Sequence, residues 1–365
     1  MSDLIMTQIL LHYPFPHLEN FSGWARALLN NLEKNKSPQI KTLRFYGTVK
    51  IHGTNTAVVE QNGSLYGQGH SRVLTPEQDP FGFSAWYTAR QAAFRQIMET
   101  VRQEYKVSAE NPIVLYGEFA GPKIQKGVAI SHLKDRGFFI FACRINQFIS
   151  GKDYWPDLRV LKNRIENRAQ GIYNLSCFPT YELDITLSPE GLRVAQVQLE
   201  SLAGEVERKC PVAEALGLTT EDMTAGEGIV FSSPNYSLRT ESNLGDLDTL
   251  KGIQIGSWLS NAFKIKGPKF SENKTVQKMS TSVDAKLEWT QEVVTPGRMM
   301  NVFSHMRETK TLTKADLNPF VVNLVDDILQ DTLEQEQSIA LKLTRDDLIR
   351  LTRRLAAEWF KENLD

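Results

Sequence analysis

Lys50 is the residue in this sequence with the clearest potential for covalent chemistry. It lies between a strand-like stretch and a tight glycine turn, in the run GTVKIHGTN of residues 47–55. A lysine amine held at such a turn can attack a phosphorus atom as a nucleophile. Taken alone the pattern is weak evidence, because most lysines are surface residues and an ordinary turn has the same spelling. The case for chemistry depends on residues further along the chain.

Two carboxylates and a pair of lysines come after Lys50. Glu118 lies in the run LYGEFAGP, Glu227 begins the run EGIVF, and Lys264 and Lys266 lie in the run FKIKG. A nucleophilic lysine, two carboxylates and a lysine pair are the parts needed to move a nucleotidyl group. The sequence therefore indicates group transfer at phosphorus.

The order and spelling of these runs resemble the covalent nucleotidyltransferases, and among them the bacteriophage double-stranded RNA ligase and its kinetoplastid RNA-editing relatives. Residues 50–55 (KIHGTN) are similar to the first motif of that family. Residues 117–122 (GEFAGP) with 124–126 (IQK) are similar to the third motif, and residues 264–266 (KIK) with 269–272 (KFSE) to the fifth. The resemblance extends over nearly the whole chain.

This resemblance implies an α+β fold, in which a nucleotidyltransferase domain of ATP-grasp-like antiparallel sheets with flanking helices precedes a small all-α C-terminal domain. It also implies an ATP-dependent RNA ligase that seals 3′-OH to 5′-phosphate ends, with a preference for nicks in duplex RNA. The expected intermediates are a lysyl-AMP and an RNA-adenylate. The expected cofactors are ATP and Mg²⁺ or Mn²⁺, and the expected partner is RNA.

The lysines take the transfer roles in this interpretation. Lys50 attacks the α-phosphorus of ATP, and burial with nearby cations favours the neutral amine that this requires. Lys264 and Lys266 alternate with Phe263 and Ile265, so both point to one face of a strand. There they bind the nucleotide and stabilise charge on the transferring group. The ordinary alternative for this pair is a solvated strand face.

The remaining nucleotide-site roles come from the resemblance. It gives Glu118 the ribose hydroxyls and Glu227 the catalytic metal, for which Mg²⁺ suits a site of few carboxylates plus phosphates. His52 and Asn55 are expected to orient phosphate, ribose or metal-bound water. Phe141, in the aromatic run FFIFA, is expected to stack on adenine. Exposed acids and core packing of the aromatic ring are the ordinary alternatives.

Three residues are candidates for contacting RNA. Arg72 is assigned to the 5′-phosphate on a loose local match, and Arg298 and Asp327 correspond to family residues that engage a nick. For the last two, a salt bridge on a helix surface is an equally good interpretation. The chain also departs from the family pattern, because Ala142 replaces an aspartate and Val49 stands where relatives often have glutamate.

Length and composition set the frame for these predictions. A chain of 365 residues with 41% hydrophobic and 23% charged residues suits two globular domains, which we place at 1–279 and 280–365. The formal net charge of -1 disfavours nucleic acid mildly, but residues 251–278 carry six lysines against one acid. We interpret this basic strip as a track for ATP phosphates and an RNA backbone.

Other features predict the chain's environment. No apolar run approaches the roughly 20 residues that span a bilayer, and the N-terminus lacks the pattern of a signal peptide. Three widely spaced cysteines form no Cys-x-x-Cys pair. We therefore expect no membrane association and a cytoplasmic or other reducing compartment. We also expect a monomer.

Local patterns predict the elements of the first domain. A helix is expected over Ser22–Lys34, with Ser22 as its N-cap. Strands are expected over 41–66 around a turn at 61–64 (QNGS), and one helix over 81–105. Further strands are expected at residues 113–118, 138–145, 228–232 and 262–265. Residues 150–225 suggest short helices and strands with no assignable chemistry.

The C-terminal end has a helical pattern after a linker at 280–282. Asn318 before Pro319 predicts an N-cap with proline at the first helical position. Thr344 and Asp347 predict a capping box at the start of the last helix.

Two rival functions remain open on the sequence. A DNA ligase or capping-type enzyme usually carries Lys-x-Asp-Gly and a following β-barrel domain, whereas here His52 replaces the aspartate and helices follow. A non-catalytic RNA-binding module is the rival from a different class. It has no use for a nucleophilic lysine in a cleft, so the intact set of lysines and carboxylates argues against it.

Overall fold

The computed structural model describes residues 10–34, 42–149, 152–218, 224–233, 262–270, 283–330 and 343–364, together with Ser338 and Leu341. Within these ranges two β-sheets form the centre of the larger part of the molecule. Their strands run antiparallel, except for one short strand at the side of the second sheet.

The four-stranded sheet has the order β10-β9-β1-β8, where β1 is Thr42–Lys50, β8 is Thr180–Thr186, β9 is Gly228–Ser232 and β10 is Ala262–Lys266. The second sheet follows the path β3-β2-β4-β5-β6, where β2 is Thr54–Gln61, β3 is Ser64–Gly69, β4 is Ile113–Ala120, β5 is Gly137–Ile149 and β6 is Lys152–Tyr154. Strand β7, Ile172–Asn174, pairs with β5 in parallel.

Helices cover both sheets and form the C-terminal part. Of the α-helices in the described ranges, six belong to the first part: α1 Phe21–Lys34, α2 Phe83–Thr88, α3 Gln91–Tyr105, α4 Leu158–Leu161, α5 Pro189–Arg208 and α6 Pro211–Ala215. The described C-terminal helices are α7 Val283–Val293, α8 Pro296–Arg307, α9 Leu317–Gln330 and α10 Arg345–Glu362.

Strand β1 shows how the sequence aims its chemistry. Phe45 and Val49 are buried in one apolar cluster with Phe21 of α1 and Leu199 of α5. Side chains alternate along a strand, so Lys50 points to the opposite face, toward the second sheet. Helix packing on one face thus directs the lysine into the space between the sheets.

The strand predictions are confirmed and the helix prediction at 81–105 is corrected. Asn62 and Gly63, with φ of 50° and 75°, form the predicted tight turn between β2 and β3. The predicted single helix is two helices, α2 and α3, with a break at Ala89 and Arg90. At this break the Arg90 guanidinium lies over the Trp86 ring, 4.2 Å from its centroid.

Helix starts were predicted with mixed success. Helix α1 begins one residue earlier than expected, and the Asn20 side chain, not Ser22, accepts from the Gly23 amide at 2.8 Å. The capping box of Thr344 and Asp347 is present as predicted. Asn318 is not an N-cap, because a 3-10 turn leads directly into α9. The capping box lies at the start of that turn, with Thr313 as the N-cap.

The C-terminal helices share a separate apolar cluster that includes Trp289, Phe303, Phe320 and Phe360. The chain is therefore α+β with a helical C-terminal part, as predicted. The predicted boundary and linker near residue 280, and most of the basic strip at 251–278, lie outside the described residues. None of the described helices is long and apolar enough to cross a membrane, and the three cysteines are free thiols.

Candidate active site

A cavity of about 290 Å³ lies between the two sheets. Strands β1, β5 and β10 line it, and so do the residues that come directly after Lys50, a segment around Trp155 and one face of α8. Most of the residues singled out from the sequence meet here: Lys50, His52, Asn55, Glu118, Phe141, Lys264 and Lys266 all line it.

Lys50 and Glu227 form the charged centre beside the cavity. The Lys50 Nζ donates to Glu227 Oε2 at 2.7 Å, and Lys266 Nζ lies 3.2 Å from Glu227 Oε1. The pairing register explains this meeting, since Lys50 of β1 and Lys266 of β10 both lie opposite Gly228 of β9. The carboxylate that immediately precedes β9 is thereby placed between the two lysines.

Gly228 is required for this junction. Its φ is +156°, and a Cβ there would lie 2.2 Å from the Ile265 carbonyl oxygen. Only glycine tolerates such a backbone conformation and approach without strain. Glycine at position 228 is thus required for β10 to pair closely with β9 directly after the Glu227 carboxylate.

Glu227 is almost fully buried, with 2% of its surface exposed. Burial alone would raise its pKa, but Lys50, Lys266 and His52 together lower the pKa well below its usual range. The His52 Nδ1 lies 3.2 Å from Glu227 Oε2. Glu227 is therefore a fixed negative charge that holds three nitrogen-bearing side chains in place.

Glu118 lies on β4 opposite Asn55, two residues before the strand ends. Its Oε1 accepts from the Gly53 amide at 3.0 Å. A Cβ on Gly53 would lie 2.4 Å from the Phe119 carbonyl oxygen, so this glycine allows β4 to approach the turn after Lys50. Burial raises the pKa of Glu118 to about 7, an effect that Lys50 partly opposes.

The raised pKa of Glu118 predicts a pH-dependent cost in stability. The folded pKa lies above the value of an unfolded glutamate, so the folded state binds more protons between about pH 4.5 and 7. Stability contributed by this group is present at low pH and is lost as the pH rises through 7. We expect the Tm of Glu118→Gln, relative to the parent, to increase from pH 5 to pH 8. A difference in Tm that is constant over this range would contradict the assignment.

Phe141 owes its position to an irregularity in β5. Tyr116 pairs with Ala142 and Gly117 with Ile140, so Phe141 is the extra residue of a β-bulge. Bulges often re-aim a side chain beside an active site. The ring lines the cavity and meets the Phe15 ring edge-on, with centroids 5.0 Å apart.

Residues 150–225, which the sequence left without a role, contribute part of the cavity lining. Trp155, Asp157 and Arg159 line the cavity. The Arg159 guanidinium sits 3.6 Å from the centroid of the Tyr46 ring and pairs with Asp157 at 2.6 Å. This segment therefore forms an aromatic and polar lining that sequence reasoning missed.

Arg72 is not brought into the cavity lining. Its guanidinium donates to the backbone carbonyl of Glu308, at the end of α8. The Glu308 side chain in turn accepts from Thr54 Oγ1 at 2.7 Å. The assignment of Arg72 to the RNA 5′-phosphate stays a prediction, and the structure places the residue at a contact between the two parts of the chain.

Arg298 and Asp327 are brought together, but inside the helical part. The Arg298 Nε lies 2.9 Å from Asp327 Oδ2, and its Nη1 donates to the Val293 carbonyl at 3.0 Å. Arg298 is 1% exposed. A direct contact of Arg298 with RNA is not supported by this position, because the guanidinium is enclosed by protein.

Helix α8 supplies site residues that the sequence analysis missed. Asn301, Ser304, His305 and Glu308 line the cavity at helical spacing. On the other face, Val302 and its neighbours pack in the helical core. This polar stripe beside an apolar one is a sequence signal that could have been found, since residues three and four apart share a helix face.

A divalent cation is compatible with the site only in a limited way. Both oxygens of Glu227 already contact cationic side chains, so a metal ion would have to compete with Lys50 and Lys266 for them. Within the described ranges, no cluster of three or more His, Cys, Asp or Glu side chains could hold a metal ion. This fits an ion held mainly by substrate phosphates and water, as Mg²⁺ prefers.

Two antiparallel sheets that enclose a lysine, a buried carboxylate and a lysine pair define a nucleotidyltransferase type of site. The family model for RNA ligase matches residues 43–251, which is more than half of the chain. The chain therefore belongs to the RNA ligase family.

Solved structures give more distant similarities. A substituted form of the Naegleria gruberi RNA ligase with ATP and Mn is 15% identical, with a TM-score of 0.42, over 71% of this chain and 57% of that chain. The Naegleria gruberi RNA ligase with PPi is 18% identical, with a TM-score of 0.40, over 73% of this chain and 60% of that chain. This chain thus spans less than two thirds of their length, and likeness at this level says nothing about individual residues. No curated protein matches the chain.

Proposed function

We propose that this protein is an ATP-dependent RNA ligase that joins 3′-OH and 5′-phosphate ends at nicks in duplex RNA. The observation that carries the proposal is the placement of Lys50. Its side chain lines a cavity large enough for part of a nucleotide, is 25% exposed, and pairs with a carboxylate that also pairs with Lys266. A surface lysine has no such surroundings.

The first step follows from this placement. The Lys50 nitrogen forms a bond to the α-phosphorus of ATP, while the bond from that phosphorus to the oxygen bridging the β-phosphate breaks. Pyrophosphate leaves with that electron pair, and the proton of the amine passes to solvent. Lys264 and Lys266 face the same cavity and stabilise negative charge on the transferring group.

Other residues that line the cavity support a place for the nucleoside. Phe141 and Trp155 offer ring faces and edges to adenine, and Glu118 offers a carboxylate oxygen to the ribose hydroxyls. We assign the cofactors as ATP and Mg²⁺ or Mn²⁺. The ion supplies charge neutralisation to the phosphates when it is bound.

The later steps complete the reaction. AMP passes from Lys50 to the 5′-phosphate of the RNA, and the 3′-OH then attacks that phosphate with release of AMP. The motif spelling, with His52 after the lysine and helices after the catalytic part, supports the double-stranded RNA ligase branch over DNA ligases and capping enzymes. A monomer in a reducing compartment remains our expectation.

The experiment that tests this function compares four substrates with and without ATP: a nicked RNA duplex, the same nick in DNA, single-stranded RNA ends and an intact duplex. We expect ATP-dependent sealing, fastest on the RNA nick. Equal sealing of the DNA nick would move the assignment to a general polynucleotide ligase. Binding of nicks that is independent of ATP, with no sealing, would favour the non-catalytic module.

A further inference from the structure

Two histidines from distant parts of the chain stack within the cavity. His70 comes directly after β3 and His305 lies on α8, and their rings are 5.2 Å apart between centroids and 10° from parallel. Both rings line the cavity that also holds Lys50, Lys264 and Lys266. Neither ring has a part in the function proposed above.

The charges around this pair are mostly positive. The lysines facing His305 are Lys50 on β1 and Lys264 and Lys266 on β10. His12 and His17 lie near His70 and contribute to lowering its pKa. The acids Glu118 and Glu308 also line the cavity, but Glu118 accepts from the Gly53 amide and Glu308 from Thr54. The stacked rings therefore border the cationic end of the cavity.

These surroundings keep His305 neutral while no anion is bound. His305 is exposed to the cavity, but the protein atoms packed around its ring lower the pKa to about 4, and His70 and the three lysines add to the effect. Burial also lowers the pKa of His70. An anion placed against the rings would offset the repulsion and favour the protonated form.

We propose that His305 and His70 form a subsite for the polyphosphate of ATP and for the pyrophosphate that leaves. The proposal rests on the ligase function argued above and names a binding role for residues outside its motifs. Imidazolium N–H groups donate charge-assisted hydrogen bonds to phosphate oxygens, and the stack fixes the direction of both rings. A polyphosphate lying between the histidines and the lysines would complete the charge balance of the cavity.

One consequence concerns the C-terminal helices. Helix α8 is also joined to the first part of the chain by Gln125, whose Nε2 donates to Ser304 Oγ at 3.0 Å and lies 3.2 Å from the Gly53 carbonyl. From the motifs alone, we would expect the first step to require only ATP, a metal ion and the N-terminal part of the chain. With His305 in the polyphosphate subsite, α8 takes part in the transfer of AMP to Lys50 as well.

The test measures the ATP concentration that half-saturates AMP transfer to the protein, from pH 5.5 to pH 8. His305→Phe keeps a stacking ring but removes the hydrogen-bond donor, and His305→Lys keeps a positive charge but removes the ring. The control is His132→Phe, because His132 is exposed. At low pH we expect His305→Phe to raise this concentration about tenfold, the loss of one charged hydrogen bond. We expect the half-saturating ATP concentration of His305→Lys to stay near that of the parent, and that of His132→Phe to equal it.

The dependence of ATP binding on pH has an expected direction. If ATP raises the pKa of His305, the parent binds ATP with uptake of a proton, so its half-saturating concentration rises with pH. The ratio between His305→Phe and the parent should therefore shrink toward pH 8, and pyrophosphate-driven removal of AMP should show the same trend. A constant ratio near one at every pH would overturn the subsite. A parent that takes up no AMP at all would instead defeat the ligase function itself.

Discussion

Lys50→Ala is expected to abolish ATP-dependent sealing of nicked RNA. The amine is the only group in the proposal that bonds to the α-phosphorus, so no AMP can reach the RNA without it. The same variant should still join a nick whose 5′-phosphate already carries AMP, because that strand bypasses the first step. Both reactions are measured by extension of a labelled strand on a denaturing gel.

The matched control is Lys209→Ala, which removes an exposed lysine at the end of α5. It should seal both substrates like the parent. If Lys50→Ala failed equally on the pre-adenylylated strand, the residue would be needed for more than forming the lysyl-AMP. If it sealed the ordinary nick with ATP, another nucleophile would have to be sought.

Glu227→Gln is expected to be costly in both stability and activity. The substitution keeps the side-chain volume but leaves Lys50, Lys266 and His52 facing one another without the carboxylate. Removing one partner of a buried charged pair typically costs about 3 kcal/mol or more. AMP transfer to Lys50 should also fall by about a hundredfold or more, because the carboxylate fixes the position of the amine.

Urea unfolding and the rate of AMP uptake measure these two effects. Glu182→Gln is the control, since Glu182 is 61% exposed and lies 4.0 Å from Arg44, where a surface pair contributes little. Unchanged stability of Glu227→Gln would mean that Lys50, Lys266 and His52 are compensated in some other way. Unchanged AMP uptake would remove Glu227 from the positioning of Lys50.

The residues that the sequence predicted well are those governed by local rules. Alternation along β10 placed Lys264 and Lys266 on one face, and both line the cavity. The turn at Asn62 and Gly63 and the capping box at Thr344 depend on residues a few positions apart, so their patterns can be read directly.

The features that the sequence did not predict depend on contacts between distant segments. Arg72 meets the Glu308 carbonyl across 236 positions of the chain, and no local pattern encodes that contact. The bulge at Phe141 is a property of pairing between β4 and β5, not of the run that contains it. The lining by Trp155 and the stack of His305 on His70 likewise exist only once the parts of the chain are packed together.

The intact mass of the protein is the most direct test of the central claim that Lys50 carries AMP. The protein is first treated with pyrophosphate to remove any AMP already bound, then weighed before and after ATP with Mg²⁺, and the modified peptide is sequenced. We expect a gain of one AMP, located on Lys50 and absent from Lys50→Ala. A stripped protein that gains no AMP, or that carries it on another residue, would show that Lys50 is not the AMP carrier.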